Sequence, residues 1–332
     1  MEIRFKRWRS DLKCWVVCDK YWLGEIFKKM AVPRLANRFA GISISSSRSF
    51  STTPQQNITL KDVRLRLKSV QNIRKITKTM QMVSAAKYSK AERELKTARV
   101  YGIGAQALYQ KASLPKEVDE QNHLIIAISS DRGLCGSVHS GLSKAVKARV
   151  ASLPVGVKTK LVVCGDKARN ILQRTHSSDI LFNMNELGRK PPIFEEASFI
   201  AEQVLDSGYD FDHGEMFYNR FKSVISYSCT PMDIYSLKTL STAETMLQYD
   251  DVDEDVLRNY HEFSLANLIY FGMKESACSE QSARMSSMDN ATKNAGDMID
   301  RLRVKYNRTR QAVITTELTE IISGSVALET KE

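Results

Sequence analysis

The amino-acid sequence predicts an α/β protein in which the N- and C-terminal helices form a long antiparallel coiled coil around a central Rossmann-like α/β domain. Three observations predict it. From Gln55 to Tyr101 there is neither Gly nor Pro, and no Pro follows Pro231, so both ends permit long unbroken helices. Each end carries apolar residues at 3- and 4-residue steps, the spacing of one helix face. Between them, short apolar runs alternate with helical stretches, the pattern of a parallel-type sheet covered by helices.

The elements follow in order. Thr59 and Asp62 make a Thr-x-x-Asp helix start. The apolar series Leu60, Val63, Leu67, Val70, Ile73, Ile76, Met80 and Val83 then runs along one face. Its three consecutive 3-residue steps are tighter than a heptad and predict local overwinding. A helix from Leu60 to Tyr109 would be about 75 Å long. Leu124-Ile125-Ile126-Ala127-Ile128 is a continuous apolar run, as in a strand buried on both faces. Gly136 to Leu153 reads as a helix, Leu161 to Val163 as a strand ended by Gly165, and Asp166 to Arg174 as a helix. Ile180 to Met184 is a third strand, and Pro191-Pro192 breaks the chain before a helix from Glu195 to Leu205. Glu215 to Leu237 holds two further strands.

The acidic group Asp250, Asp251, Asp253, Glu254 and Asp255 suits a helix N-terminus, where the macrodipole favours negative charge. Met288, Thr292, Ala295, Ile299, Leu302, Tyr306, Thr309 and Val313 form a heptad seam in the following helix. From Glu254 to Ser323 that helix would span about 105 Å. A domain of this size cannot bury two such helices, so they must pair and project. The expected division is an extension and presequence at 1–50, helix at 51–115, α/β domain at 116–245 and helix at 246–332.

Charge agrees with pairing. Residues 60–101 hold 12 basic against 3 acidic residues, and residues 250–332 hold 10 against 15. Antiparallel partners of opposite sign attract, although exposed pairs each contribute little. The overall charge of +11 is concentrated in residues 1–50, with 11 basic and 4 acidic residues, which weakens any reading of the whole chain as a nucleic-acid binder. A chain 42% hydrophobic and 26% charged excludes collagen-like and wholly disordered classes. No apolar run approaches the roughly 20 residues of a membrane span.

The N-terminal segment reads as an address. No acidic residue lies between Glu25 and Asp62, while Lys28, Lys29, Arg34, Arg38 and Arg48 accompany Ser43, Ser45, Ser46 and Ser47. That composition marks an organellar transit peptide. Arg48-Ser49-Phe50 before Ser51 resembles a matrix-peptidase cleavage site, which puts the mature start near Ser51. Met30 is the cleaner presequence start, with residues 1–29 an upstream extension.

No catalytic, metal or cofactor site is expected. Of six cysteines, the close pair Cys14 and Cys18 lies in the leader, and the other four are scattered, as are His123, His139, His176, His213 and His261. The turn from Ser129 to Gly136 sits where phosphate loops sit, after a strand and before a helix. It lacks both G-x-G-x-x-G and G-x-x-x-x-G-K-[ST], and reads as a structural turn. Two other readings stand beside the scaffold. One is a Rossmann-like nucleotide-binding enzyme with helical dimerisation arms, for which tight dinucleotide binding would be diagnostic. The other is a nucleic-acid binder using the basic helix from Lys61 to Arg99, whose affinity would fall steeply with salt. Few aromatics interleave those charges, and the pairing helix is acidic.

Three ordered motifs carry a family resemblance. The first spans Leu67-Lys68-Ser69-Val70-Gln71-Asn72-Ile73 and Lys75-Ile76-Thr77-Lys78-Thr79-Met80-Gln81-Met82-Val83-Ser84-Ala85-Ala86-Lys87. The second is the turn from Ser129 to Gly136, and the third runs from Tyr306-Asn307-Arg308-Thr309-Arg310-Gln311 through Glu320-Ile321-Ile322-Ser323-Gly324. The chain from about residue 57 to 328 resembles the gamma subunit of the rotary F-type ATP synthase, in its mitochondrial form because of the presequence.

The resemblance implies a central rotor shaft with no catalytic residue and no cofactor of its own. Its implied partners are the alpha and beta subunits of the catalytic hexamer, the delta and epsilon subunits of the central stalk, and the membrane c-ring. No nucleic acid is among them, and membrane association comes only through the complex. Proton-driven rotation of the ring would turn the shaft and change the beta sites in sequence, at the matrix side of the mitochondrial inner membrane. By motif match, Met80 would lie near the beta-subunit lever loops, and Arg310 and Gln311 would face a beta-subunit catch loop. Arg74, Lys75, Lys78 and Lys87 would complement acidic levers. The stretch from Ala312 to Leu328, charged only at Glu317 and Glu320, would suit an apolar bearing.

Overall fold

A computed structural model describes residues 59–111, 121–154, 156–241 and 252–329. The presequence, Cys14 and Cys18, Asp250 and Asp251 lie outside the described residues. The first helix, α1 (Leu60–Lys111), opens on a reciprocal cap. The Thr59 hydroxyl donates to the Asp62 carboxylate at 2.7 Å, the same carboxylate accepts the Thr59 backbone N–H, and the Asp62 N–H donates to the Thr59 hydroxyl. Otherwise orphaned donors are thereby satisfied, as the sequence spacing predicts.

The sheet elements alternate with helices: β1 (Asn122–Ile128), α2 (Val138–Ser152), β2 (Lys158–Cys164), α3 (Asp166–Leu172), β3 (Ile180–Met184), α4 (Phe194–Asp206), β4 (His213–Phe221) and β5 (Tyr227–Tyr235). A short α5 (Leu237–Ser241) precedes α6 (Glu254–Glu329), which is 76 residues long and so about 114 Å. The strand order is β3-β2-β1-β4-β5. The first four strands are parallel, but β5 runs antiparallel to β4. Only residues 222–226 separate the last two strands, too few for a crossover helix, so the chain turns back as a hairpin. Pro231 sits on the resulting edge strand, where its missing N–H costs no ladder bond.

Both faces of the sheet are covered. Leu124, Ile126, Ile128, Val162 and Met216 pack against α4 through Ile200 and Val204, and against α6 through Leu265, Leu268 and Ile269. Ile125, Ala127, Leu161 and Val163 pack on the other side against Leu142 and Val146 of α2 and Leu172 of α3. The apolar run in β1 is continuous because each of its side chains meets one of these layers. The middle of α6 is therefore part of the α/β core as well as of the helix pair.

One glycine sets a close approach and another does not. Gly165, between β2 and α3, has φ +103°, and a Cβ there would come within 2.7–2.8 Å of the Ser130 backbone. Gly165→Ala is expected to destabilise the chain by about 2–4 kcal/mol, combining left-handed strain with overpacking. Gly141, inside α2 with nothing within 4 Å of its virtual Cβ, is the control: Gly141→Ala is expected to stabilise by about 0.5–1 kcal/mol. Urea unfolding of both variants measures the two signs.

Candidate functional site

The helix pair is antiparallel, because partner numbers rise along α1 as they fall along α6. Gly102 meets Phe271, Arg99 binds Glu275, Gln81 binds Asp289, Thr77 faces Thr292, and Val70 packs on Ala295 and Ile299. At Gly102 the approach is close enough that a Cβ would stand 2.5 Å from the Phe271 ring. Lys274 donates to Glu94 across the pair at 2.7 Å.

The seam on α1 differs from the apolar series read from sequence. Val63, Leu67 and Val70 turn inward, but Ile73, Ile76 and Val83 are 49%, 58% and 50% exposed. The inward positions continue instead through Thr77, Gln81, Ser84, Tyr88, Ala91, Leu95, Ala98 and Gly102, in alternating 4- and 3-residue steps. That is a regular heptad spacing, so the predicted overwinding has no basis. Polar members hold the middle of the seam because they bond across it. The Thr77 and Thr292 hydroxyls lie 2.9 Å apart, and the Gln81 amide donates to Asp289 at 2.9 Å. The Lys293 ammonium beside Asp289 holds its carboxyl below the usual range. The heptad register from Val63 through Leu95, in which exposed Arg74 takes the one step between Val70 and Thr77, was the signal in the sequence; following apolar residues alone missed it.

The residues singled out from sequence fall into two bands. Arg74, Lys75, Lys78 and Lys87 are exposed along α1, and Met80 is half-buried among them. Arg74 lies over Gly296, and Lys78 donates to Gln81 at 3.0 Å. Lys87 lines a cavity of about 240 Å³ with Lys90, Arg189 and Lys190. Arg310 and Gln311 are exposed near the start of α1, one level above the last covered seam residue, Thr309. The structure does not bring the two bands together: Arg74 sits against Gly296, 14 residues or about 21 Å from Arg310 along α6.

Beyond Arg310 the helix runs past the start of α1. Every residue from Arg310 to Leu328 is exposed, including Ile314 at 55%, Leu318 at 57%, Ile321 at 71% and Leu328 at 72%. The segment is rich in Val, Ile and Thr, which are poor helix formers, and isolated helices of this length are marginal in water. Thr315, Thr316 and Thr319 spend their hydroxyls on carbonyls of the preceding turn. A helix of that composition with an apolar surface implies a surrounding partner.

The central turn is structural. The Asp131 carboxylate accepts the Asp166 N–H that opens α3, and His139 bonds Ser129 through Nδ1 and the Arg132 carbonyl through Nε2. In a doubly wound sheet, ligands bind beyond the carboxyl ends of the strands where the order reverses, here between β1 and β4. Helix α6 fills that crevice. Arg284 donates to the Gly133 carbonyl, Ser276 and Glu280 line what remains, and the residual cavity is about 30 Å³. Small-molecule sites take about 300–1,000 Å³. The nucleotide-enzyme reading therefore loses its site. Burial pushes the Cys164 thiol up to about 12 and the Cys135 thiol up to about 11, so neither is a ready nucleophile. Among the described residues, no helix is long and apolar enough to cross a membrane.

Comparison with known proteins agrees with this geometry. A family model described as ATP synthase matches residues 59–328. The chain is 57% identical to the ATP synthase F(1) complex subunit gamma, mitochondrial, of Rattus norvegicus, covering 82% of this chain and 100% of that relative. It is 55% identical to the mitochondrial ATP synthase subunit gamma of Drosophila melanogaster, covering 81% and 91%. A chain of the Tetrahymena thermophila mitochondrial ATP synthase central stalk and c-ring structure superimposes with a TM-score of 0.56 at 26% identity, covering 65% of this chain and 99% of that one. A chain of the Euglena gracilis mitochondrial OSCP/F1/c-ring structure shares the fold, with a TM-score of 0.67 at 18% identity over 81% and 94%.

Proposed function

This chain belongs to the ATP synthase gamma-subunit family, and from that premise we propose how its parts divide the work of a central rotor. It is a non-catalytic stalk subunit of a mitochondrial rotary ATP synthase, coupling rotation of the c-ring to ATP synthesis at sites on other subunits. The observation that carries the division of labour is the length of α6, which outlasts α1 by about 30 Å of exposed helix.

In this reading the single-helix tip turns inside a sleeve made by the alpha and beta subunits. An apolar rod can slide there without ion pairs that would lock its angle. Below the tip, the second helix makes the shaft wider and eccentric, so each turn presents a different face to each beta subunit in sequence. Arg310 and Gln311 stand at that step and contact the beta catch loop. Arg74, Lys75, Lys78 and Lys87, with Met80 among them, meet the acidic levers, and outward-facing Ile73, Ile76 and Val83 add apolar contact. Residues 116–245 form the foot on the c-ring, where delta and epsilon bind, at the matrix face of the inner membrane. Residues 51–115 and 246–332 form the shaft.

Torque passes between shaft and foot through α6, which contributes to both. Its buried charges anchor it: Arg284, paired with Glu280 on the same helix, donates to the Gly133 carbonyl, and Glu275 receives bonds from α1 and β4. Co-expression of the chain with mitochondrial alpha and beta subunits tests the reading. A single complex with one copy per three alpha and three beta subunits, active as an ATPase, is the expected product. A chain that stays outside the hexamer would overturn the sleeve assignment.

A further inference from the structure

We propose that His123, His213 and Glu215 form a binding site for a divalent transition-metal cation of the Zn²⁺ class, clamping the first residues of β1 to those of β4. The sequence hides this group, because 90 residues separate the two histidines. The sheet brings them together: β1 and β4 are adjacent and parallel, with His123 directly opposite His213. Side chains alternate along a strand, so Glu215 shares the face of His213. His123 shares the face of Ile125 and Ala127, beneath α2 and α3.

One ligand atom from each of the three residues lies within 4.8 Å of the other two. Zinc bonds nitrogen and oxygen at about 2.0–2.2 Å, so it holds its ligand atoms within about 4.4 Å of one another. Small side-chain rotations close that gap. All three side chains are buried, at 0%, 6% and 5% exposure for His123, His213 and Glu215.

The surroundings prepare the ligands. Arg149 of α2 grips Glu215 Oε1 through Nη2 at 2.6 Å and Nε at 2.7 Å. The buried Oε2 has no hydrogen-bond partner, which leaves it as the oxygen a cation would take. His213 Nε2 lies 3.7 Å from Asp233 Oδ1, close enough that a small shift would bring the two into the carboxylate–histidine arrangement that orients a metal-binding ring. The two imidazole rings lie with their centroids 5.4 Å apart. Two nitrogens and one carboxylate suit zinc and its neighbours, whereas Ca²⁺ and Mg²⁺ prefer oxygen-only sets. Asp233, more than half exposed on the edge strand, marks the way in.

The test uses the full chain stripped with chelator. Addition of Co²⁺ should produce the visible absorption of a low-symmetry cobalt site at one equivalent per chain, and Zn²⁺ should abolish it while raising Tm. His213→Gln and Glu215→Gln should each weaken binding more than about tenfold, while His176→Gln, which removes a half-buried imidazole paired with Asp179 outside the triad, should not. X-ray absorption of the loaded parent chain should show two imidazoles and no sulfur, a readout that needs no variant to fold. Absence of cobalt binding, equal binding by the triad variants, or a sulfur ligand would each overturn the site.

Discussion

Arg99→Ala is expected to destabilise the folded chain by about 3–5 kcal/mol, because it leaves a buried carboxylate without its cation. Glu275 is 1% exposed. It accepts Arg99 Nε at 2.6 Å and Nη2 at 3.3 Å, and it also accepts the backbone N–H of Phe221 at 2.8 Å. Arg99 itself donates to the Phe221 carbonyl at 2.7 Å. One cluster thus joins α1, α6 and the end of β4, where the helix pair meets the sheet.

The two partners are not equivalent. The Arg99 side chain is 42% exposed and can turn to water when Glu275 is removed, whereas Glu275 cannot. Glu275→Ala is therefore expected to cost less, about 1–3 kcal/mol, mostly for the lost acceptor of the Phe221 N–H. The double variant should cost less than the sum of the two, because they remove one interaction. Urea unfolding with unchanged m-values measures all three. If Arg99→Ala proved no more damaging than Glu275→Ala, the cluster would not be held by the carboxylate's burial.

What could be read from sequence depended on how local the physics is. The Thr59–Asp62 cap and the doubly buried run of β1 were legible, since each is decided within a few residues. The long helices were legible because nothing in them breaks a helix. The seam of α1 was misread at Ile73, Ile76 and Val83, where apolar residues face outward and Thr77 and Gln81 face inward. Hydrophobicity alone cannot report that a hydroxyl will meet a hydroxyl on a helix more than 200 residues away. The reversed direction of β5 was recoverable from the five-residue link after Phe221. The grouping of His123, His213 and Glu215 was not, because only strand order makes neighbours of them. The filling of the β1–β4 crevice by α6 was equally invisible, since no motif in residues 276–284 signals it.

Deleting residues 312–332 is expected to separate stability from coupling. No described residue of that segment is buried, so its loss should change the unfolding free energy of the chain alone by no more than about 0.5 kcal/mol. In the assembled synthase the expectation reverses. Val313, Ile314, Leu318, Ile321, Ile322, Val326 and Leu328 all present apolar surface, and each side chain contributes about 1.5–3 kcal/mol when fully buried. Association costs consume much of that sum, yet a surplus of about 1.4 kcal/mol, less than one such side chain's share, changes retention in the sleeve tenfold. The truncated shaft should therefore leave the hexamer at least about tenfold faster on dilution. A shaft centred by one bearing fewer will also tilt under load. ATP synthesis driven by the proton gradient should then fall by a larger factor than ATP hydrolysis, which tolerates slip. Both rates are measured in the same reconstituted vesicles. Equal loss of the two would point to failed assembly and is distinguished by subunit stoichiometry. Synthesis at the parent rate by a fully assembled truncated complex would remove the bearing role from the tip and place centring on the paired helices below Thr309.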